Sequence, residues 1–236
     1  MIMILMKFIN LFKKIKVTKN APDICEVQIN SQINDIYIIG NGPSLNNFNP
    51  EEFNQKFTIG TNRAWLWGNT DVLIWRDSRI TDEIELLRVE KKDKDLWICS
   101  NNKSFKENRK YVYVNKLVDY AFKDTWMKKK LKTNIKWNGI IFHAIALAKH
   151  ISPNATIHLL GVDLKVSDEE KHHFFTSIPG FNQGFYKREW NNKTFNYTKR
   201  LDMMYKNFEL LKKNGYRFKN YSKNSKLTEL FGYEKR

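Results

Sequence analysis

The chain has 236 residues, of which 42% are hydrophobic and 14% aromatic, and this length fits one domain of ordinary size. That hydrophobic content is enough to bury a core, so it excludes a wholly disordered chain. Lysine and arginine number 41 against 25 acidic residues, a formal net charge of +16. The charge predicts attraction to polyanions such as nucleic acid, an anionic membrane surface or phosphate-bearing substrates. The two cysteines, Cys25 and Cys99, supply neither a disulfide framework nor a zinc cluster.

The amino-terminal segment, residues 1–18, is basic and amphipathic. Its apolar residues are interleaved with lysines, and it contains no acidic residue. No run of about 18 apolar residues occurs, so no membrane-spanning helix is expected. We interpret the segment as a helix that rests on an anionic membrane surface, with a helix packed on the body of the protein or a frayed tail as the alternatives. The expected location is the cytoplasm, with peripheral attachment at the inner face of the membrane as an option.

Short apolar runs alternate with helical patterns along residues 35–236, which we interpret as one domain. Strands are predicted at 35–40, 57–60, 71–75, 95–99, 111–114, 155–160 and 216–220. Helices are predicted near 81–89, 116–131, 139–150, 201–214 and 225–231, and a further helix is expected to begin at Asn49-Pro50. This alternation predicts a doubly wound, Rossmann-like α/β fold with a mostly parallel sheet. Residues 165–196 are irregular and aromatic, which is typical of a lid.

The strongest local signal is the turn Gly40-Asn41-Gly42-Pro43-Ser44-Leu45, directly after the first predicted strand. Glycine lets a backbone approach a ligand closely, and exposed N–H groups with the Asn41 and Ser44 side chains suit a phosphate or a ribose. The spacing matches neither the dinucleotide-binding fingerprint nor the P-loop. A tight turn that binds nothing is the alternative.

Histidine provides the candidate acid or base. His172 and His173 lie in the predicted lid, and imidazole titrates near neutrality, so it can move a proton to or from a reacting oxygen. Adjacent residues of an extended segment point to opposite sides, so at most one of the two should face a site. Two ordinary surface histidines are the alternative. Asp77, after the third predicted strand, is the other candidate base, whereas His143 and His158 are expected in the core.

A metal ion is not required by this set of residues. A divalent ion under a nucleotide diphosphate is often held by a D-x-D motif. Asp93-Lys94-Asp95 has that form, but it begins a predicted strand and so lies at the wrong edge of the sheet.

Five motifs in order carry a resemblance to known proteins. They are Ile38-Ile39-Gly40-Asn41-Gly42-Pro43-Ser44-Leu45, Thr61-Asn62-Arg63, Asn138-Gly139, Leu160-Gly161-Val162-Asp163 and Asn224-Ser225-Lys226-Leu227. Together they resemble the bacterial sialyltransferases of glycosyltransferase family 42 and the related 6-hydroxymethylpterin pyrophosphokinase-like superfamily, over roughly residues 35–231.

The resemblance implies a nucleotide-donor site built from these motifs. The residues placed at the donor are Gly40, Asn41, Gly42, Ser44, Asn62, Asn138, Gly139, Asp163 and Lys165. Lys165 belongs to a stretch that replaces the paired phosphate-binding tyrosines of the sialyltransferases. Those enzymes also carry their catalytic histidine well beyond the G-x-D strand, whereas this chain has no histidine after His173. The base is therefore left open between His172, His173 and Asp77.

The predicted activity is metal-independent glycosyl transfer. The donor is a nucleotide sugar, with a CMP-sugar as one option, and it is a substrate rather than a cofactor. The acceptor is a hydroxyl of a surface glycan or a lipid-linked saccharide, as in polysaccharide biosynthesis. The alternatives are glycosylation of a modified base in phage-type DNA, a pyrophosphokinase-like phosphotransferase that needs ATP and Mg²⁺, and a non-catalytic nucleotide-binding module.

Overall fold

A single parallel sheet organises the protein. The computed structural model describes residues 33–68, 70–75, 80, 83, 96–99, 111–113, 139–165, 173–178 and 197–235. These ranges contain seven strands: β1 (Asp35–Ile39), β2 (Phe57–Thr61), β3 (Val72–Trp75), β4 (Leu96–Cys99), β5 (Tyr111–Tyr113), β6 (Thr156–Leu160) and β7 (Phe218–Asn220). Each agrees with a predicted strand to within about two residues.

The strand order is β5-β4-β3-β2-β1-β6-β7, and every neighbouring pair is parallel. The chain therefore winds outward from β1 to β5 and then returns to the other side of β1. This order confirms the predicted doubly wound α/β fold. It also places the topological switch point between β1 and β6, where sheets of this kind bind ligands beyond the carboxyl ends of their strands.

Three α-helices are described: α1 (Ile140–Ile151), α2 (Tyr197–Lys213) and α3 (Thr228–Phe231). Single 3₁₀ turns cover Pro43–Asn47, Pro50–Phe53, Asn62–Leu66 and Phe174–Ser177. The helix expected at Asn49-Pro50 is thus one 3₁₀ turn, although Asn49 and Glu52 do form its capping box. Apart from Glu83, the predicted helix near 81–89 lies outside the described residues, as do the predicted helix near 116–131 and the amino-terminal segment 1–18.

The carboxyl-terminal helix begins three residues later than expected. Ser225, the first residue of the predicted helix, is not helical, and its hydroxyl donates to the Val162 carbonyl oxygen at 2.8 Å. The same hydroxyl accepts from the Leu227 N–H at 3.1 Å, so Ser225 closes a turn in front of α3. The turn ties the end of the chain to the segment after β6.

The alternating residues of β1 separate two hydrophobic layers. Ile36 and Ile38 pack with α1 and α2 on one face of the sheet, in a core that includes Phe142 and Phe208. On the other face, Ile39 belongs to a core that also contains apolar residues of the 3₁₀ turns: Leu45, Phe53, Ala64, Phe174 and Phe175. Because both faces of β1 are covered by these layers, most of its positions are apolar. Among the helices of the described ranges, none is long and apolar enough to cross a bilayer.

His158 and His143 are core residues, as predicted, with 3% and 6% of their surface exposed. The His158 ring stacks on Tyr37 with 4.2 Å between ring centroids. Its Nε2 lies 2.7 Å from Asp35 Oδ1, and its Nδ1 lies 3.0 Å from the Tyr221 hydroxyl. Both nitrogens therefore have partners inside the protein, which is how a buried imidazole is accommodated.

Acid is expected to destabilise the protein in part through His158. Burial lowers the pKa of His158 below its ordinary 6.5, although the Asp35 carboxylate opposes the shift. The unfolded chain then binds the proton more readily, so the free energy of unfolding should fall as the pH decreases below about 6.5. Urea titrations across this range should show a shallower fall for His158→Asn than for the wild type. His150→Asn, at the end of α1, serves as the control, and equal slopes for wild type and His158→Asn would contradict the assignment.

Candidate functional site

The candidate site lies where three neighbouring strands end. The 40–45 turn follows β1, residues 161–165 follow β6, and Asn62 follows β2. Because β1 pairs in parallel with both β2 and β6, these three segments meet at one edge of the sheet, here called the carboxyl edge. Residues far apart in sequence thus converge on the switch point.

Glycine is required at position 40 by the approach of two backbones. The Gly40 N–H donates to the Leu160 carbonyl oxygen at 2.7 Å. A Cβ added to Gly40 would lie 2.8 Å from the Gly161 carbonyl carbon, and one added to Gly42 would lie 2.8 Å from the Gly161 carbonyl oxygen. The two glycines were expected to make room for a ligand. In the structure they make room for the segment after β6.

The N–H groups of the turn are also used inside the protein. Gly42 donates to the Gly161 carbonyl oxygen, Ser44 to an Asp163 carboxylate oxygen and Leu45 to the Gly42 carbonyl oxygen. The Gly40 N–H donates to the Leu160 carbonyl oxygen, and Pro43 has no N–H. The expected cradle of exposed N–H groups around a phosphate is therefore not formed by these five residues.

The side-chain amide of Asn41 links the ends of β1 and β2. Its Nδ2 donates to the carbonyl oxygen of Thr61 at 2.6 Å and to the Thr61 hydroxyl at 3.1 Å, and its Oδ1 accepts from the Arg63 N–H at 3.1 Å. The Thr61 hydroxyl donates in turn to the Ile39 carbonyl oxygen at 2.9 Å. The amide hydrogens thus have acceptors inside the protein, which leaves one lone pair of Oδ1 for a ligand. Replacing Asn41 would weaken the fold together with any donor contact.

Ser44, Asp163 and Ser222 form a hydrogen-bonded cluster across β1, β6 and β7. The Ser44 hydroxyl donates to Asp163 Oδ1, and its N–H donates to Asp163 Oδ2 at 3.0 Å. The hydroxyl oxygens of Ser44 and Ser222 are 2.7 Å apart. The Asp163 carbonyl oxygen accepts from the Lys226 N–H at 3.2 Å, so the motif at 224–227 is bonded to the backbone of Asp163. Sequence reasoning placed Asp163 at the site but did not identify Ser222.

His173 lies against the 40–45 turn. Its Nδ1 is 3.2 Å from the Asn41 carbonyl oxygen, which also accepts from the Phe174 N–H at 3.0 Å. The imidazole is partly buried and stacks on Phe175, with 4.7 Å between centroids and 19° between planes. The 3₁₀ turn Phe174–Ser177, within the predicted lid, is therefore docked on Asn41. His173, just before this turn, lies at the carboxyl edge.

The other predicted donor residues are placed around this centre. Asn62 has a φ of 50°, a left-handed conformation that asparagine tolerates better than most residues. This backbone conformation is a second reason, besides donor binding, for asparagine at position 62. Leu164, a bulky residue beside Asp163, is left-handed as well, with a φ of 44°. Gly139 immediately precedes α1, and Lys165 is exposed. Asp77, Asn138 and His172 lie outside the described residues, so their roles stay predictions.

Arg63 was named only as part of a motif, yet it is buried at the site and donates two hydrogen bonds to the Glu83 carboxylate. Nothing in the local sequence pairs these two residues, which are 20 positions apart. Within the described ranges, no group of three histidine, cysteine, aspartate or glutamate side chains is placed to hold a metal ion.

Comparisons with known proteins agree with the fold. No family model matches the chain, and no curated protein is detectably similar to it in sequence. The chain is similar in structure to Cst-I, a monofunctional alpha-2,3-sialyltransferase from Campylobacter jejuni, with a TM-score of 0.53 and 16% identity over 87% of this chain and 82% of that one. CstII, a sialyltransferase from the same organism solved with the substrate analogue CMP-3FNeuAc, gives a TM-score of 0.45 and 17% identity over 85% and 86%. At such identity, the likeness to Cst-I shows a shared fold.

Proposed function

We propose that this chain is a glycosyltransferase that moves a sugar from a nucleotide-linked donor of the CMP-sugar class to a hydroxyl of a surface glycan or a lipid-linked saccharide. The observation that carries the proposal is the place of His173, an imidazole held at the switch point of the sheet by the Asn41 carbonyl. The fold shared with a sialyltransferase and the motif resemblance support the donor class.

The Asn41 contact selects the nitrogen that acts as the base. A carbonyl oxygen only accepts hydrogen bonds, so Nδ1 of His173 carries the hydrogen, and the lone pair of the neutral ring is on Nε2. In the transfer step, the acceptor hydroxyl oxygen bonds to the anomeric carbon of the sugar. The bond from that carbon to the donor phosphate oxygen breaks, the hydroxyl proton moves to Nε2, and the electron pair leaves on the phosphate.

The leaving phosphate requires positive charge or N–H donors, and the N–H groups of Gly40, Gly42, Ser44 and Leu45 are already bonded inside the protein. Helix α1 ends shortly before β6 begins, so it runs antiparallel to the strands and its amino terminus lies at the carboxyl edge. The first N–H groups of a 12-residue helix favour an anion. Lys165, exposed after β6, adds a mobile cation. We place the phosphate near Gly139 and Lys165, with Asn41, Asn62 and the Ser44–Asp163 pair shaping the floor of the donor site.

The competing functions rest on other residues. A pyrophosphokinase-like enzyme needs carboxylates for Mg²⁺ at the strand ends, where Asp163 is described and Asp77 lies outside the described residues. The contacts with a membrane surface or with DNA rest on the net charge and on residues 1–18, and they stay predictions.

A thermal-shift screen of the purified protein against CMP, UDP, GDP and ATP with Mg²⁺ tests the proposal. A nucleotide present at about 100 times its dissociation constant should add roughly 2.7 kcal/mol to the free energy of unfolding. We expect CMP to stabilise the protein more than the other three. If ATP with Mg²⁺ stabilised the protein and the other three nucleotides did not, the result would favour the phosphotransferase and overturn the donor class.

A further inference from the structure

Arg63 lies at the carboxyl edge and has no part in the chemistry above. It follows Asn62 in the 3₁₀ turn after β2, and 8% of its surface is exposed. Its Nε and Nη2 both donate to the carboxylate of Glu83, and the Nε bond is 2.7 Å long. Two parallel hydrogen bonds to one carboxylate fix the plane of a guanidinium.

The fixed guanidinium contacts the lid turn, residues 173–178. Arg63 Cζ lies 4.9 Å from the ring centroid of Phe175, which is 4% exposed. A cation at this distance is attracted to the face of an aromatic ring. His173 stacks on that same ring, with 4.7 Å between the centroids. Arg63 and His173 are thus two neighbours of one buried phenyl group.

A second route joins the same residues through Asn41. The Arg63 N–H donates to Asn41 Oδ1 at 3.1 Å. The carbonyl oxygen of Asn41 accepts from the Phe174 N–H at 3.0 Å and lies 3.2 Å from His173 Nδ1. The side chain of Arg63 therefore contacts the lid turn at the Phe175 ring. Its backbone N–H bonds to Asn41, the residue that accepts the hydrogen bond from the lid turn.

We propose that Arg63 is a positioning residue that holds the His173 imidazole at the carboxyl edge through Phe175. The Glu83 carboxylate orients the guanidinium through two hydrogen bonds and offsets its charge. The inference rests on the proposed function for the use of His173 in transfer. The positioning itself is present in the protein without any substrate.

Three variants separate positioning from general stability. Arg63→Met removes the charge and the pairing but keeps most of the side-chain length, whereas Arg63→Lys keeps a charge and loses the two-bond geometry. Lys212→Met is the matched control, because Lys212 also sits over an aromatic ring, 5.8 Å from the Phe231 centroid, near the carboxyl end of α2. If Arg63→Met does not fold, Phe175→Leu makes the same test, since it removes the ring and keeps apolar volume.

The first measurement needs no activity. The ¹⁵N resonances of the His173 imidazole, assigned by their loss in His173→Ala, should show Nδ1 protonated in the wild type and in Lys212→Met. In Arg63→Met they should move towards a mixture of tautomers, with Arg63→Lys in between. Unchanged His173 resonances in Arg63→Met, or in Phe175→Leu, would overturn the inference whether or not the protein transfers sugar.

The second measurement is a split between kcat and the KM for the donor. Loss of orientation of a reacting group can cost about 100-fold in rate, so Arg63→Met should lower kcat by about that factor and change the donor KM little. Resonances that move while kcat stays at the wild-type value would also overturn the positioning role. If no nucleotide sugar is turned over by the wild type but the resonances move as expected, the proposed function fails and the placement of His173 by Arg63 stands.

Discussion

Replacing His173 with alanine is expected to lower the rate of sugar transfer by about 10²–10⁴-fold, the usual contribution of a general base. The Nδ1 contact with the Asn41 carbonyl leaves Nε2 as the basic nitrogen, and alanine removes that base. Donor binding should persist, because in our proposal the phosphate is held by the amino terminus of α1 and by Lys165 and not by His173. The rate is measured as nucleotide released from the donor in the presence of acceptor, and binding by calorimetry with the free nucleotide.

His150→Ala is the control for this result. His150 lies in the last turn of α1, at the opposite edge of the sheet, and its loss should leave transfer near the wild-type rate. A His173→Ala variant that keeps the wild-type rate would exclude this imidazole as the base. The base would then be sought at His172 or Asp77.

Replacing Gly40 with alanine is expected to reduce the free energy of unfolding by about 3 kcal/mol, the upper end of the usual range for overpacked interiors. The added Cβ would lie 2.8 Å from the Gly161 carbonyl carbon and 3.0 Å from Val162 Cγ2. Two backbones at the β1–β6 junction cannot separate without breaking the bond between the Gly40 N–H and Leu160. Urea denaturation of the purified variants measures the loss, and an insoluble variant would report it as a failure to fold.

Gly215→Ala provides a matched control, because the added Cβ would meet no other atom. Gly215 has a φ of 78°, and a Cβ there would have no neighbour within 4 Å. Its replacement should cost only the strain of a left-handed alanine, about 1 kcal/mol. Equal losses for Gly40→Ala and Gly215→Ala would mean that the close approach of the two segments is not what fixes Gly40.

Local sequence patterns were sufficient to predict the sheet. The apolar run at 35–39 ends at a glycine, the run at 156–160 does the same, and each is a buried strand in the structure. The alternation of such runs with helical patterns predicted a doubly wound α/β fold, and the apolar surroundings of His143 and His158 predicted their burial. These features depend on residues close together in the chain, so a single sequence reveals them.

Long-range partners could not be predicted in the same way. Ser44 meets Asp163 across 119 residues and Ser222 across 178, and nothing near any of them signals the others. The consequence is a change in the role of the 40–45 turn. The N–H groups of Gly42 and Ser44, expected in a phosphate cradle, donate in the fold to the segment after β6. The side chain of Asn41, expected to contact the donor, also donates to Thr61 at the end of β2.

Nucleotide release from CMP-activated sugars tests the central claim most directly. The wild-type protein, Arg63→Met and His173→Ala would each be incubated with a CMP-sugar or a UDP-sugar, with and without a saccharide acceptor, and the free nucleotide quantified. We predict acceptor-dependent release of CMP by the wild type, a rate lower by about 10²–10⁴-fold in His173→Ala, and no comparable release of UDP. If the wild type consumes neither donor but transfers a phosphoryl group from ATP in the presence of Mg²⁺, this protein is not a glycosyltransferase.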